Sequence, residues 1–336
     1  MIVPVPTALA AAHDALRGAG VSMENARLQV DLLVEADLRG RASHGLMRLP
    51  RIIERIRNGV ADPLTAGIHA WRGNCLEVDG QKGLGPVVAC SALDAMVAVS
   101  NRQGIALAAI RNNNHLGMLA WYAQRVASQG LVLIAASTSE ALVHPWKGRK
   151  AMLGTNPLAI GVPTAGEPFI FDMATSLVSM GQIHDYALRG MALPPGWALD
   201  ADGNPTTDAG AAKLGSIAPF GEAKGYALGL ALELLVTCLT ASAIGTDVVG
   251  TLDSDQVCNK GDVFIVIDPG RRPEVARQIT GYLDAVRASG ATANAVAVPG
   301  DRALTSRQRS LESGLSLPDD VWSRIQSLAE PQFNDC

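Results

Sequence analysis

Two short apolar runs, GIALAAIRN (104–112) and LVLIAAST (131–138), flank a segment of helical period, HLGMLAWYAQRVASQG. Apolar runs this short, bounded by glycine and polar residues, read as strands, so the three segments form a strand–helix–strand unit. Such a unit needs a sheet with helices packed against it, and this fixes the fold class as mixed α/β. Further strands are expected at CLEVDG (75–80), LAIGVP (158–163), FIFDMA (169–174), GDVFIVIDP (261–269) and ANAVAVPG (293–300). Helical spacing marks Leu9 to Ala19, Met23 to Leu38, residues 83–104, Lys224 to Ala243, Glu274 to Ala288, Ser306 to Glu312 and Asp319 to Leu328. Ser22, with Glu24 and Asn25 behind it, is a suitable start for the second of these. LPPGWALDADGNPTTDAG (193–210) lacks periodicity and reads as an exposed loop.

Composition narrows the function. A net charge of −4 gives no basic footprint, so nucleic acid is not an expected partner. The five cysteines (Cys75, Cys90, Cys238, Cys258, Cys336) include no C-x-x-C pair, which argues against a zinc knuckle or a thioredoxin-like motif. No secretory n-region and h-region opens the chain, so a cytoplasmic location with free thiols is expected. The most apolar stretch, YALGLALELLVTCLTASAIG (226–245), contains Glu233 and small polar residues. It reads as a core helix rather than a membrane span.

The stretch RASHGLMRLP (41–50) puts His44 and Arg48 four residues apart, and apolar residues recur around it at helical steps. On a helix the two would face the same way, with Pro50 kinking or restarting it. GLGPVV (83–88) has two glycines of the dinucleotide fingerprint but Val88 where the third belongs, so it reads as an ordinary helix start. No P-loop is present. None of the six histidines forms H-x-x-x-H, and no metal site is expected. His115 ends the run RNNNH after a strand, where it is either a cleft residue or part of a helix cap. FDMATS (171–176) suits either a helix N-cap or a ribose and phosphate contact through Asp172. Lys224 stands just ahead of the long apolar helix, opposing its dipole.

Taken in order, SHGLMRLP (43–50), NNHLGMLAWYA (113–123), LGTNPLAIGVP (153–163), FDMATS (171–176), LPPGWALDADGNPTTD (193–208) and PFGEAKGYAL (219–228) resemble the malate/L-lactate dehydrogenase family that is distinct from the Rossmann dehydrogenases. The likeness runs from about residue 5 to 328. It implies a non-Rossmann, sulfolactate-dehydrogenase-like α/β fold: a mixed-sheet domain with a helical N-terminal part. The expected partition is 1–105 as that helical part, packing with 290–336, and 106–289 as the central domain holding a nicotinamide cofactor. By resemblance, His44 is the acid/base with Ser43 beside it, and Arg48 holds the substrate carboxylate. Thr155, Met180 and Gly181 would lie at the substrate. The cofactor would be lined by His115, Leu116, Gly117, Met118, Leu119, Asp172, Met173, Ala174, Ala223 and Lys224.

The implied reaction is NAD(P)-dependent interconversion of a small 2-hydroxy acid and its 2-oxo acid, with NADP set ahead of NAD, in a homodimer. The imidazole would take the hydroxyl proton while the guanidinium forks onto the carboxylate. Reduction of cyclic imino acids is the alternative within enzymes, and a non-catalytic cofactor-binding homologue is the alternative outside them. Two departures bear on this. Gln182 in SMGQI stands where the imine reductases carry an acid, and Glu222 stands where glycine is usual. The basic residues His144, Lys147, Arg149 and Lys150 could meet a second acidic group or the cofactor phosphates, or form a solvated face.

Overall fold

The computed structural model describes residues 1–291 and 296–330. A two-residue strand, β1 (Ile2–Val3), leads into α1 (Val5–Gly18) and α2 (Met23–Leu38), and the Ser22 hydroxyl caps α2 by accepting from the Asn25 N–H at 3.2 Å. After α3 (Leu49–Arg57), the hairpin β2 (Ile68–Arg72)–β3 (Cys75–Asp79) runs into α4 (Gly85–Gln103). Gly104, left-handed at φ +85°, ends α4. The chain continues through β4 (Ile105–Arg111), α5 (Leu119–Ala127), β5 (Val132–Ser137) and the hairpin β6 (Leu158–Val162)–β7 (Phe169–Met173). A small lobe follows: α6 (Met180–Leu188), β8 (Ala198–Leu199), β9 (Pro205–Thr206), the single turn α7 (Ala209–Ala212) and β10 (Ser216–Ile217). The last elements are α8 (Ala223–Thr240), β11 (Asp262–Ile267), α9 (Pro273–Ala288), α10 (Asp301–Ser313), β12 (Leu315–Ser316) and α11 (Asp319–Ala329).

Seven strands make one mixed sheet in the order β2-β3-β4-β11-β5-β6-β7. Only β3 and β4 pair in parallel; every other neighbour is antiparallel. The strand–helix–strand unit read from residues 104–138 is present as β4, α5 and β5, but its strands do not touch. β11, from far along the chain, lies between them and pairs with both. β11 is buried at four of its six positions and exposed at none, which explains the apolar run VFIVI that follows Asp262. The expected break at residue 105 cuts through this sheet, because β2 and β3 belong to it. The chain's two ends meet: β1 pairs with β12, α1 packs on α11, and α10 lies against α2.

Three expectations are corrected. Residues 193–210 contain β8 and β9, which form a three-stranded sheet with β10. Of the strand expected at 293–300, residues 293–295 lie outside the described residues and 296–300 are irregular. The apolar stretch 226–245 is not a fully buried helix. Gly225, Gly229, Leu232, Glu233, Val236 and Thr240 are the buried residues of α8, while Leu228, Leu234, Leu235 and Leu239 stay exposed.

Where β11 enters the sheet, Lys260 and Asp262 are both buried, and Lys260 Nζ meets Asp262 Oδ1 at 2.5 Å. The same carboxylate accepts from Ser137 Oγ at 2.6 Å and Asn113 Nδ2 at 3.2 Å. These bonds tie the ends of β4, β5 and β11 together. A buried pair of this kind is expensive to break from one side, because the ammonium left behind has no counter-charge. Asp262→Ala should therefore lower unfolding stability by about 3–5 kcal/mol. Urea midpoints read by circular dichroism check this; a shift within that of a typical surface substitution would contradict it.

Candidate active site

The segment carrying His44 is not a continuous helix. Ala42–His44 and Leu46–Arg48 are separate 3₁₀ turns joined at an extended Gly45, and α3 begins at Leu49 with Pro50 in its first turn. The break has a visible cause in Asp37 near the end of α2. Its Oδ2 accepts from the Leu46 N–H at 2.7 Å. Its carboxylate lies so close to Gly45 that a Cβ there would stand 2.0 Å from Oδ1. Burial pushes the Asp37 carboxyl up to about 7, against the lowering by the Leu46 N–H.

His44 and Arg48 therefore meet through this turn rather than through helical spacing. Arg48 Nε donates to the Ser43 carbonyl at 2.6 Å, and Ser43 Oγ lies 3.0 Å from His44 Nδ1. That leaves His44 Nε2 without a hydrogen-bond partner among the described residues. The His115 ring stands 5.6 Å away, centroid to centroid. His115 Nδ1 accepts from the Gly117 N–H at 2.9 Å, which puts its proton on Nε2. Protein surrounds both imidazoles on most sides although each stays partly exposed, and of the two only His115 lines the cleft between α2, α3 and the start of α4. Burial first, then the charges of Arg48 and Arg41, push His44 down to about 3. Burial and Arg48 hold His115 well below its usual value. Arg48 itself is pushed down to about 10 by burial and by Arg51.

The His115 loop is fixed from three sides. Gly85, at the start of α4, approaches so closely that a Cβ there would lie 2.1 Å from the His115 carbonyl oxygen. This is what the GLGP glycine is for. Buried Arg55 on α3 donates from Nε and Nη2 to Asn114 Oδ1 at 3.1 and 3.0 Å, and Asn114 Nδ2 donates to the carbonyls of Lys82 and Gly83. Buried Tyr122 donates to the Leu116 carbonyl at 2.6 Å. Arg48, Arg51, Arg55, Asn114 and His115 line one cleft of about 510 Å³ between α2, α3 and the start of α4.

A second cleft of about 950 Å³ lies alongside. Asp172 Oδ2 accepts from the Ala120 N–H at 2.8 Å, capping α5 and joining two of the segments expected at the cofactor, 115–119 and 172–174. Burial raises the Asp172 carboxyl, against the lowering by that bond and by Arg41. Met118, Asp172 and Met173 line this cleft with Arg41, Pro299, Gly300 and Arg302. Residues 298–300 read in the sequence only as the end of a strand, and the sequence marks no site role for the 298–302 segment. Its one signal is a Pro-Gly turn after an apolar run.

Other expected residues fall elsewhere. Gly181 packs against Ser43, with the position of a Cβ 3.2 Å from Ser43 Cβ, so the start of α6 and Met180 lie beside the histidine turn. Gln182 makes no hydrogen bond to Ser43 or His44; its backbone N–H donates to Ser179 Oγ. Thr155 is bonded to Ser139 and Thr175, and none of its hydrogen bonds reaches His44 or Arg48. Ala223 and Lys224 open α8 and line neither cleft; Glu222 before them takes φ +57°. Arg149 is engaged by the 202–204 loop, and none of His144, Lys147, Arg149 or Lys150 lines the His115 cleft.

Both cleft histidines should stay neutral well below the ordinary imidazole range near 6.5. Imidazole resonances followed by NMR should show no titration of His44 or His115 between about pH 8 and 5. A midpoint near neutrality for either would mean that the buried, arginine-flanked environment does not act as described.

A family model described as malate/L-lactate dehydrogenase matches residues 3–326. The L-sulfolactate dehydrogenase of Methanothermobacter thermautotrophicus is 33% identical over 94% of this chain and 93% of its own. A delta(1)-pyrroline-2-carboxylate reductase of Ancylobacter novellus is 32% identical over 97% of this chain and 98% of its own. The crystal structure of a dehydrogenase from Sinorhizobium meliloti superposes with a TM-score of 0.95 at 48% identity, covering 98% of both chains. Given a match over nearly its whole length, the chain belongs to the malate/L-lactate dehydrogenase family.

Proposed function

We propose that the protein is a nicotinamide-dependent oxidoreductase that interconverts a small 2-hydroxy acid and its 2-oxo acid. The observation that carries this is the Ser43–His44–Arg48 turn, in which a neutral imidazole and a guanidinium are held side by side. A 2-hydroxy acid carries its hydroxyl one carbon from its carboxylate, so it needs a base and an anion anchor at that separation. Ser43 holds His44 Nδ1, leaving Nε2 to take the hydroxyl proton during oxidation. Arg48 offers two parallel N–H groups to the carboxylate. Burial is the main cause that depresses His44; a carboxylate bound at Arg48 offsets only the smaller arginine contribution and so moves the imidazole in the direction needed to return a proton during reduction.

The nicotinamide, when bound, supplies or accepts the hydride. Met118, Asp172, Met173, residues 298–300 and Arg302 line the larger cleft and suit such a cofactor, and Arg41 and Arg302 enter no ion pair among the described residues. Two free arginines favour NADP, whose extra phosphate gives them a counter-charge. Reduction of cyclic imino acids is the second reading, favoured by the pyrroline-2-carboxylate reductase relative. Gln182 weakens it, because an amide supplies no anion to a Ser43–His44 relay. The exposed leucines on α8 support burial against a second copy of the chain, and the free thiols of Cys75, Cys90, Cys238 and Cys258 fit a cytoplasmic location.

A panel of 2-oxo acids and cyclic imines assayed with NADH and NADPH tests this reading. Reduction of 2-oxo acids, faster with NADPH, is expected. His44→Ala should cut turnover by roughly 10²–10⁴-fold while the enzyme still binds nucleotide. Turnover of cyclic imines alone would replace the first reading with the second, and no turnover with intact nucleotide binding would favour an idle homologue. Light scattering at micromolar concentration should give twice the 35.1 kDa chain mass; a fully active single chain would remove the dimer.

A further inference from the structure

α3 carries a buried charge that the proposed chemistry leaves without a task. Arg55 stands seven residues beyond Arg48, about two helical turns, so the two side chains fall on one face. Arg48 is tied at its end of the helix to the Ser43 carbonyl. At the other end the Arg55 guanidinium makes five hydrogen bonds to three separate pieces of chain. Two of them go to Oδ1 of Asn114, the residue before His115. Nη1 donates to the Asp253 carbonyl at 2.8 Å and to its carboxylate at 3.5 Å, and Nη2 donates to the Gln256 carbonyl at 3.0 Å. A guanidinium withdrawn from water is tolerated only where partners replace its lost hydration, so this geometry is held at every donor.

The 250–256 loop is equally constrained, and this is what keeps Arg55 from yielding. Glu140 Oε1 accepts from the Thr251 N–H at 2.7 Å, the Thr251 hydroxyl at 3.0 Å and the Leu252 N–H at 2.9 Å. Asn58 Nδ2 donates to the Ser254 carbonyl at 2.8 Å, and the Ser254 hydroxyl donates to Glu54 at 3.0 Å. Gly250 and Thr251 line the same cleft as Arg48 and His115. On its other side Asn114 is pinned by the carbonyls of Lys82 and Gly83. One short helix thus connects the Arg48 wall of the cleft to the His115 wall, with no slack at either end.

Resting on the dehydrogenase reading, we infer that Arg55 is a positioning residue: acting through Asn114, it sets where the His115 Nε2–H donor stands relative to the Arg48 guanidinium. His115 lines the cleft and meets the reactants; Arg55 does not. Lysine cannot replace it, because an ammonium is a single point of donors and cannot span Asn114, Asp253 and Gln256 together. A displacement of about 1 Å passed on to a group at the reacting centre can cost about 10²-fold in rate.

The test is a cycle of four full-length proteins: wild type, Arg55→Lys, His115→Ala and the double variant. Pyruvate and oxaloacetate are the substrates, with NADH and NADPH, and kcat is scaled to the folded fraction read by circular dichroism. Arg55→Lys should lower kcat at least about tenfold and change KM less than about threefold, because Arg48 still anchors the carboxylate. In the His115→Ala background the same substitution should change kcat less than about twofold, since the group it acts through is gone. An equal loss in both backgrounds would mean a structural role only and would overturn the inference, as would an undiminished kcat in the single variant. Asn58→Ala removes a tie to the loop and leaves the Asn114 contact, so kcat should stay within about twofold. A loss matching that of Arg55→Lys would route the effect through the loop and overturn the inference too. Should Arg55→Lys not fold, Asn114→Ala takes its place in the cycle with the same expectations. If wild type reduces neither acid, the dehydrogenase reading fails, and the His115 ring resonances decide the positioning separately. A shift of His115 in Arg55→Lys with His44 unmoved supports it; an unmoved His115 overturns it.

Discussion

Lys260 and Asp262 are withdrawn from solvent at the point where β11 enters between β4 and β5, and their charges satisfy each other together with Ser137 and Asn113. The two strands of the 104–138 unit are held apart by β11, so the sheet's centre depends on a strand that arrives more than a hundred residues later. Hydrogen bonding and apolar burial alone would let β11 slide in register. A buried charge pair penalises every register in which its partners separate. Asn113 belongs to that knot and lies two residues before His115. The position of the cleft histidine is thus set by the same bonds that fix the sheet.

The cleft itself is electrostatically one-sided. His44 and His115 are neutral because burial and the nearby arginines make a third positive charge unfavourable. An anionic ligand offsets the arginine part of that lowering, while the larger part, burial, stays in place. Binding and proton transfer are therefore coupled through one guanidinium. The same logic explains why the acids near the cleft are each tied to another partner: a free carboxylate there would compete with substrate for Arg48.

Close backbone approach is the second constraint. Gly45 admits the Asp37 carboxylate, and Gly85 admits the His115 carbonyl, at separations no side chain tolerates. The first contact breaks what the apolar spacing suggested would be a helix, because Asp37 captures the Leu46 N–H and turns the chain at Gly45. The result brings Arg48 back onto the Ser43 carbonyl, a geometry that four-residue helical spacing does not produce.

Much of the fold was legible in the chain. The positions of α1, α2, α4, α5, α9 and the strands β3 to β7 and β11 follow from local apolar period and turn residues, because those signals act over a few neighbouring residues. Family motifs at 43–50, 113–123 and 171–176 pointed to the residues that the fold gathers around the two clefts. Strand order was not legible, since β11 finds its neighbours by long-range pairing that leaves no local trace. The role of the 298–302 segment was missed for a related reason: a Pro-Gly turn carries no signal until another part of the chain forms a cleft with it. The exposed leucines of α8 were invisible too, because composition gives a helix its apolar character but only packing decides which face is covered. What the sequence by itself determined was the set of elements and the chemistry available to them. What only the tertiary structure decided was which charges meet without partners, because electrostatic company depends on distance in space and not on distance along the chain.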